Sequence, residues 1–253
     1  MASSIKYFIG NWKMFGIPSS YKILVNINRY FYRDKKNNKK YKIIMAPPLT
    51  LLQDYSKKFK SSKIYISAQN CYHKDNFGSH TGQVSPFMIK KLGVKYVIIG
   101  HSENRASGET NEIIKEKVKI ALKNNLIVIF CIGENKSEKR KKKTFGVLKR
   151  QILKVIKNKL SLRNIIIAYE PIWSIGTGKV PSKNELQKNT AMLKKFIKRK
   201  FRSNYNPRIL YGGSVDKNSV KEFKSINEID GFLIGGASKS SKNFIDIIKN
   251  FYK

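Results

Sequence analysis

The chain has 253 residues, 41% of them hydrophobic, enough for one large core or two small ones. No run of about 18 uncharged apolar residues occurs, so a membrane span is not expected. The two cysteines, Cys71 and Cys131, stand alone without CxxC spacing, which argues against a disulfide framework or a zinc site and favours a reducing compartment.

The charge is unusual: 52 Lys and Arg against 16 Asp and Glu, a net +36. A balance this basic raises nucleic acid or an acidic surface as a partner. The lysines are scattered, however, and the densest stretch, Lys139-Arg140-Lys141-Lys142-Lys143, is short. Solvated helix faces are the expected reading, and no nucleic acid partner is expected. Such a field would still speed the arrival of a dianionic substrate. The segment Met1 to Lys6 runs into an apolar stretch ending at Gly10 and lacks the long apolar region and cleavage site of a signal peptide, so a cytoplasmic location is expected.

Along the chain, short β-rich runs alternate with longer helical patterns. Strands are expected at Lys6–Gly10, Tyr41–Ala46, Ile64–Ala68, Tyr96–Gly100, Leu126–Cys131, Asn164–Tyr169, Arg208–Tyr211 and Gly231–Ile234. Most are apolar without polar alternation, which suits a parallel sheet covered on both faces. Helices are expected at Ser19–Tyr32, Leu49–Lys60, Asn111–Asn124, Thr144–Lys159, Lys183–Phe201 and Ser241–Tyr252, where apolar residues recur three and four apart. Shorter ones are expected at Pro86–Leu92 and Lys217–Phe223. Ser182 is placed as an N-cap with Glu185 at the capping-box position. Eight strand–helix units in this length predict an α/β fold, a closed (β/α)8 barrel in a single domain over residues 1–253. A doubly wound sheet is the alternative.

In such barrels the chemistry gathers at the C-terminal ends of the strands. The residues there are Asn11-Trp12-Lys13, His101-Ser102-Glu103, Gly133-Glu134, Glu170-Pro171, Gly212-Gly213-Ser214 and Gly235-Gly236. Glycine pairs before helix starts let backbone N–H groups approach an anion, and barrels commonly hold phosphate after strands seven and eight. Singly, each reading has a bland rival. A glycine pair is usually a turn, a lone histidine usually a core group, and a strand-end carboxylate is as often a salt-bridge partner. Their joint placement on one rim favours a catalytic site. The segment Pro171-Ile172-Trp173-Ser174-Ile175-Gly176-Thr177-Gly178-Lys179 is too apolar and glycine-rich for an ordinary exposed loop, and reads as a lid whose tip carries Trp and Ile.

These motifs resemble those of the triosephosphate isomerase family. They are Gly10-Asn11-Trp12-Lys13-Met14, Gly100-His101-Ser102-Glu103, Ala168-Tyr169-Glu170-Pro171-Ile172-Trp173, Gly176-Thr177-Gly178-Lys179, Tyr211-Gly212-Gly213-Ser214 and Gly235-Gly236-Ala237-Ser238. They run in order across nearly the whole chain. The resemblance implies a TIM barrel that interconverts dihydroxyacetone phosphate and glyceraldehyde 3-phosphate through an enediolate, in glycolysis, gluconeogenesis and the pentose phosphate pathway. It implies Glu170 as base and neutral His101 as the group polarising the carbonyl, a division of labour established for the family. Lys13 would supply charge and Asn11 a hydrogen bond where the enediolate forms. Glu103 would orient Lys13. Gly176, Ser214, Gly235 and Gly236 would bind phosphate through main-chain N–H groups, and Ile175 and Leu233 would clamp Glu170 in an apolar setting. No metal or organic cofactor is implied. Thr81, in the loop from Gln69 to Gln83, would reach Asn11 and Lys13 across a homodimer.

Three departures from the family pattern stand out. Asn104 and Gln83 replace an Arg and a Glu that usually pair across the dimer. The stretch Arg105–Glu109 is one residue short, which leaves the packing behind His101 open. Pro181 replaces an Ala at the lid's C-terminal hinge; without an N–H it cannot donate the family's hydrogen bond to the Tyr211 hydroxyl. The alternatives are a nucleic-acid-binding barrel, which rests on charge alone, and an isomerase or lyase acting on another phosphorylated sugar. An inactive relic is disfavoured by the intact motif set.

Overall fold

The computed structural model describes residues 5–74, 76–157 and 160–253. Eight parallel strands close into a barrel in sequence order: β1 (Lys6–Asn11), β2 (Tyr41–Ala46), β3 (Ile64–Ala68), β4 (Tyr96–Ile99), β5 (Ile127–Ile132), β6 (Ile165–Tyr169), β7 (Arg208–Tyr211) and β8 (Gly231–Ile234). β8 returns to pair with β1 through Tyr7 opposite Gly231 and Gly10 opposite Ile234. The doubly wound alternative is thereby excluded.

The uninterrupted apolar strands acquire their reason here. Alternate residues point into the barrel or out toward the helices. Tyr7 and Ile9, Ile44 and Ala46, Tyr96 and Ile98, Ile129 and Cys131, and Ile166 and Ala168 pack inside, with Leu210 and Leu233. Phe8, Ile43, Met45, Val97, Ile99, Ile165 and Ile167 face the helical layer. Both faces are dry, so neither tolerates polar alternation.

The outer layer comprises α1 (Tyr21–Arg33), α2 (Leu49–Lys58), α3 (Pro86–Lys91), α4 (Ser102–Ala106), α5 (Asn111–Lys123), α6 (Lys136–Arg140), α7 (Thr144–Val155), α8 (Lys183–Lys200), α9 (Ser219–Phe223) and α10 (Ser241–Tyr252). In α1, Leu24, Ile27 and Phe31 make the buried stripe at three- and four-residue spacing. Helix ends fall within four residues of expectation, and α10 matches at both ends. The expected Thr144–Lys159 helix stops at Val155, and residues 158 and 159 lie outside the described set, as do residues 1–4. Two short helices were not expected. α4 has no buried residue to mark it, and α6 lies in the basic run. Asn135 caps α6 reciprocally with Glu138, which holds the lysine-rich turn despite its charge.

Ser182 caps α8 as expected, its Oγ accepting from the Glu185 N–H at 3.2 Å. The expected return bond from Glu185 is replaced, because that carboxylate pairs with Lys139 at 2.9 Å. β7 and β8 share one register pair, Tyr211 opposite Phe232. The gap is closed by buried Asp230, which accepts the Ile209 N–H at 2.8 Å and pairs with Lys194 at 2.7 Å. Gly231 has φ +145°, and a Cβ there would lie 2.0 Å from the Tyr7 carbonyl oxygen, so this crossing admits glycine alone.

Candidate active site

Strand alternation aims the key side chains. Asn11 continues the inward row of Tyr7 and Ile9, and Glu170 continues that of Ile166 and Ala168. Both emerge at the C-terminal mouth of the barrel. There a cavity of about 430 Å³ is lined by Asn11, Lys13, His101, Glu170, Ile175 and Gly176, together with Ser214, Leu233, Gly235 and Gly236. Its size suits a small ligand. Every predicted catalytic and substrate-binding residue borders it, although they come from five different strand ends.

Glu170 is 2% exposed. Burial pushes its carboxyl above the ordinary carboxylate range, and His101, Lys13, the Cys131 thiol and the Ser102 amide pull it only part of the way back. Its Oε1 lies 3.4 Å from His101 Nε2. Ile175 and Leu233 line the same cavity. Space for the side chain depends on glycine: a Cβ on Gly212 would come within 2.7 Å of Glu170 Cγ, and one on Gly133 within 1.8 Å of its carbonyl oxygen.

His101 caps α4, and its Nδ1 accepts the Glu103 N–H at 3.2 Å. A nitrogen that accepts carries no proton, so the ring is neutral with its hydrogen on Nε2, facing the cavity. The shortened stretch behind it is packed by Arg105. Its guanidinium reaches the Gly100 carbonyl at 2.8 Å, Asn111 Oδ1 at 2.9 Å and the Cys131 carbonyl at 3.3 Å.

Lys13 has φ +56°, a left-handed conformation uncommon for a side chain of this kind. Its N–H bonds Asn11 Oδ1 at 3.1 Å, and Gln69 Nε2 donates to its carbonyl at 2.9 Å. Its ammonium meets Glu103 Oε1 at 2.6 Å, the predicted orienting contact.

The two glycine pairs differ. A Cβ on Gly213 would strike the Tyr211 hydroxyl and Ser174 Oγ, whereas Gly235 has no neighbour closer than 3.7 Å and Gly236 none within 4 Å. Gly212 and Gly213 therefore make room for protein, and Gly235 and Gly236 leave room for a ligand. Ser214 is engaged with the lid: its N–H points at Ser174 Oγ at 3.4 Å and its hydroxyl donates to the Ser174 carbonyl at 2.6 Å.

The lid segment also corrects the sequence reading. Trp173 is not at its tip. The indole N–H donates to buried Glu134 at 2.8 Å, and Lys139 sits 3.4 Å over the ring. Trp173 anchors the first hinge, and the exposed part is Gly176 to Val180. Ser174 is fully buried. Its Oγ donates to the Lys179 carbonyl and lies 3.0 Å from the Tyr211 hydroxyl, so Tyr211 has a partner on this side of Pro181. Sequence reasoning missed Ser174, Lys139 and Cys131, whose roles arise from contacts far apart in the chain. Thr81 lies outside the cavity, on an exposed turn.

Cys71 and Cys131 are free and buried. Among the described residues no cluster of three or more His, Cys, Asp or Glu could hold a metal, and no helix is long and apolar enough to cross a membrane.

A family model described as triosephosphate isomerase matches residues 6–251. Triosephosphate isomerase of Mycoplasma mobile is 41% identical over 247 residues, covering 96% of this chain and 99% of that protein. The Alkaliphilus oremlandii protein of the same name is 37% identical over 244 residues, covering 94% and 96%. The crystal structure of triosephosphate isomerase from Bartonella henselae superposes with a TM-score of 0.88 at 32% identity, covering 98% of this chain and 99% of that one. Matches of this extent, on a closed eight-stranded barrel, place the chain in the triosephosphate isomerase family, and it is an isomerase.

Proposed function

We propose that the chain interconverts dihydroxyacetone phosphate and D-glyceraldehyde 3-phosphate, with Glu170 as the base that moves a proton between adjacent carbons. The observation that carries the reading is the buried Glu170 carboxyl, raised by desolvation and set 3.4 Å from His101 Nε2. A carboxylate kept dry is a stronger base than one in water.

Glu170 takes a proton from the carbon beside the substrate carbonyl. Negative charge then develops on the carbonyl oxygen, where the His101 Nε2–H donates a hydrogen bond. The Lys13 ammonium and the Asn11 amide stabilise the same charge. These interactions are stronger in the enediolate than in the substrate, so they lower the barrier instead of merely tightening binding. The hydroxyl proton of the first carbon passes to the charged oxygen of the second beside His101, protonated Glu170 returns its hydrogen to that second carbon, and the aldose results. The phosphate sits by the open backbone of Gly235 and Gly236. Gly176 and the Ser214 amide join it as the lid moves, which frees Ser214 from Ser174. Closure keeps water from the enediolate and protects it from losing phosphate.

The working form is a homodimer. Met14 is 99% exposed and Phe77 78%, with Ile17 and Leu49 also exposed, side chains that a partner subunit would cover. Met14 adjoins strained Lys13, so a partner docking there, through the loop that carries Thr81, would brace the catalytic ammonium. The cytoplasm is the expected compartment, consistent with two free thiols.

The test is a coupled assay on glyceraldehyde 3-phosphate with wild type and Glu170→Asp. Losing one methylene retracts the base by roughly 1 Å, so kcat should fall about 10²-fold with KM little changed. Unaltered turnover would remove Glu170 from the role.

A further inference from the structure

At the opposite end of the barrel lies a second hollow, larger than the catalytic one, of about 790 Å³. It opens beside the first residues of β3, between the C-terminal ends of α2 and α3. Five exposed lysines border it: Lys57, Lys60, Lys63, Lys91 and Lys95. No carboxylate does. None of the five has an ion-pair partner among the described residues, whereas one turn away Lys58 is paired with Asp54 at 2.8 Å.

The arrangement follows from helix geometry. Gln53, Lys57 and Lys60 fall at i, i+4 and i+7 along α2 and its end, so they share one face toward the hollow. Asp54 and Lys58 occupy the next face and neutralise each other. Lys91 and Lys95 approach from the other wall, with Lys95 held 5.6 Å from the Tyr65 ring centroid. The floor is apolar, formed by buried Phe59, Ile64 and Ile66. Concave walls over a low-dielectric floor concentrate the field of like charges, and five unpaired ammonium groups repel one another until an anion arrives.

We propose that this hollow binds a small polyphosphate, an anion whose several adjacent phosphates engage lysines from both walls at once. Lysine is a point-charge phosphate binder, and a ligand with several charges on a short chain matches the spread of donors better than one phosphate. Ser61 and Gln53 add neutral donors at the rim. The site is remote from Glu170, so its occupation leaves the catalytic residues untouched.

The experiment is calorimetric titration of the full chain with tripolyphosphate at about 0.15 M salt, with glycerol 3-phosphate present to fill the catalytic cavity. Two double variants are compared. Lys60→Gln/Lys95→Gln removes a lysine from each wall. Lys188→Gln/Lys195→Gln removes the same charge from the exposed face of α8. The expected result is at least about tenfold weaker binding for the first, the loss of two charge-assisted hydrogen bonds, and less than about twofold for the second. Isomerase turnover should stay unchanged in both. Orthophosphate should bind about tenfold more weakly than tripolyphosphate, and equal binding of the two would overturn the proposal. Equal weakening by the two double variants would mean that net charge alone attracts the anion, and would overturn the proposal. So would absence of saturable binding below about 1 mM, or binding of an RNA oligomer that tripolyphosphate fails to displace.

Discussion

Glu170 and Asp230 are both buried carboxylates, one at each end of the barrel strands, and they are treated in opposite ways. Asp230, just before β8, is engaged at Oδ2 by a backbone N–H at 2.8 Å and an ammonium at 2.7 Å. Glu170, just after β6, has the neutral His101 ring beside it at 3.4 Å, and its burial outweighs what its neighbours return. A carboxylate ion-paired and hydrogen-bonded to the frame is held in a structural role. One left in a dry cavity is poised to take a proton. The comparison separates a group that holds the fold from a group that the fold holds ready.

The sharpest way to break this distinction is a crossed pair of variants. Glu170→Gln should reduce turnover by about 10²- to 10⁴-fold, the usual worth of a positioned base. Its stability at neutral pH should be equal or higher. The sign follows from linkage: the folded pKa lies above the unfolded one, so deprotonation penalises the fold increasingly as pH rises between the two, and fully above the folded value. Glutamine removes that penalty. Asp230→Ala should do the reverse. It leaves Lys194 and Lys6 beside each other without their counter-charge and frees a backbone N–H, lowering stability by about 3–5 kcal/mol. The protein that remains folded should keep its turnover. Urea unfolding at pH 7 beside steady-state kinetics checks both, and a stability loss in Glu170→Gln would erase the contrast.

The same physics sets a pH limb. Because Glu170 must be ionised to accept a proton, kcat/KM should fall as the medium is acidified through its pKa. With that pKa raised by burial, the fall should centre above about 4.3, where an ordinary glutamate titrates. A pH profile of kcat/KM from 4 to 8 measures it. A midpoint at or below the ordinary value would mean that the carboxylate is better solvated in the working enzyme.

How far the sequence could be read follows the same division. The strands were legible because a sheet dry on both faces leaves no room for polar residues, and Ile166, Ala168 and Glu170 then fall on one inner row. Helices with a long apolar stripe, such as α1 and α10, were legible from their period. α4 and α6 were not, since a five-residue helix that buries nothing has no period to show. Glu185 is the expected cap residue whose carboxylate went elsewhere, because Lys139 from another segment offered a full charge. Gly212 and Gly213 looked like half of a phosphate cradle. They also give clearance to Glu170 and Ser174, which needs three-dimensional neighbours to discover. The resemblance to a family supplied the roles; the residues alone supplied the rim on which they meet.

Smaller effects should come from the lid's fastenings. Ser174 Oγ touches Tyr211, the Lys179 carbonyl and the Ser214 amide, joining both hinges to the loop after β7. Ser174→Ala should release the segment and change turnover or phosphate-analogue affinity by about two- to tenfold, the range of one net hydrogen bond. Pro181→Ala supplies an N–H that proline lacks and should alter the same two quantities by a few-fold. Both changes act on the Tyr211 hydroxyl, so the double variant should depart from additivity. Additive effects, or none in either measurement for Pro181→Ala, would show that the hinge proline has no bearing on lid position.

The smallest effect is expected at the proposed dimer face. Asn104 and Gln83 replace a charge pair of the family with two amides, so no orphaned charge is left to be buried when partners meet. Restoring the pair with Asn104→Arg and Gln83→Glu adds a Coulomb attraction, but it also requires stripping water from two ions, and the two terms nearly cancel. The dissociation constant, read by analytical ultracentrifugation across dilution, should therefore move by less than about 1 kcal/mol, under fivefold in affinity. The single variant Asn104→Arg should weaken association more than the double one, because it buries a guanidinium without its carboxylate. A gain of several kcal/mol in the double variant would mean that the amides are a defect in the interface and not a neutral replacement for the ion pair.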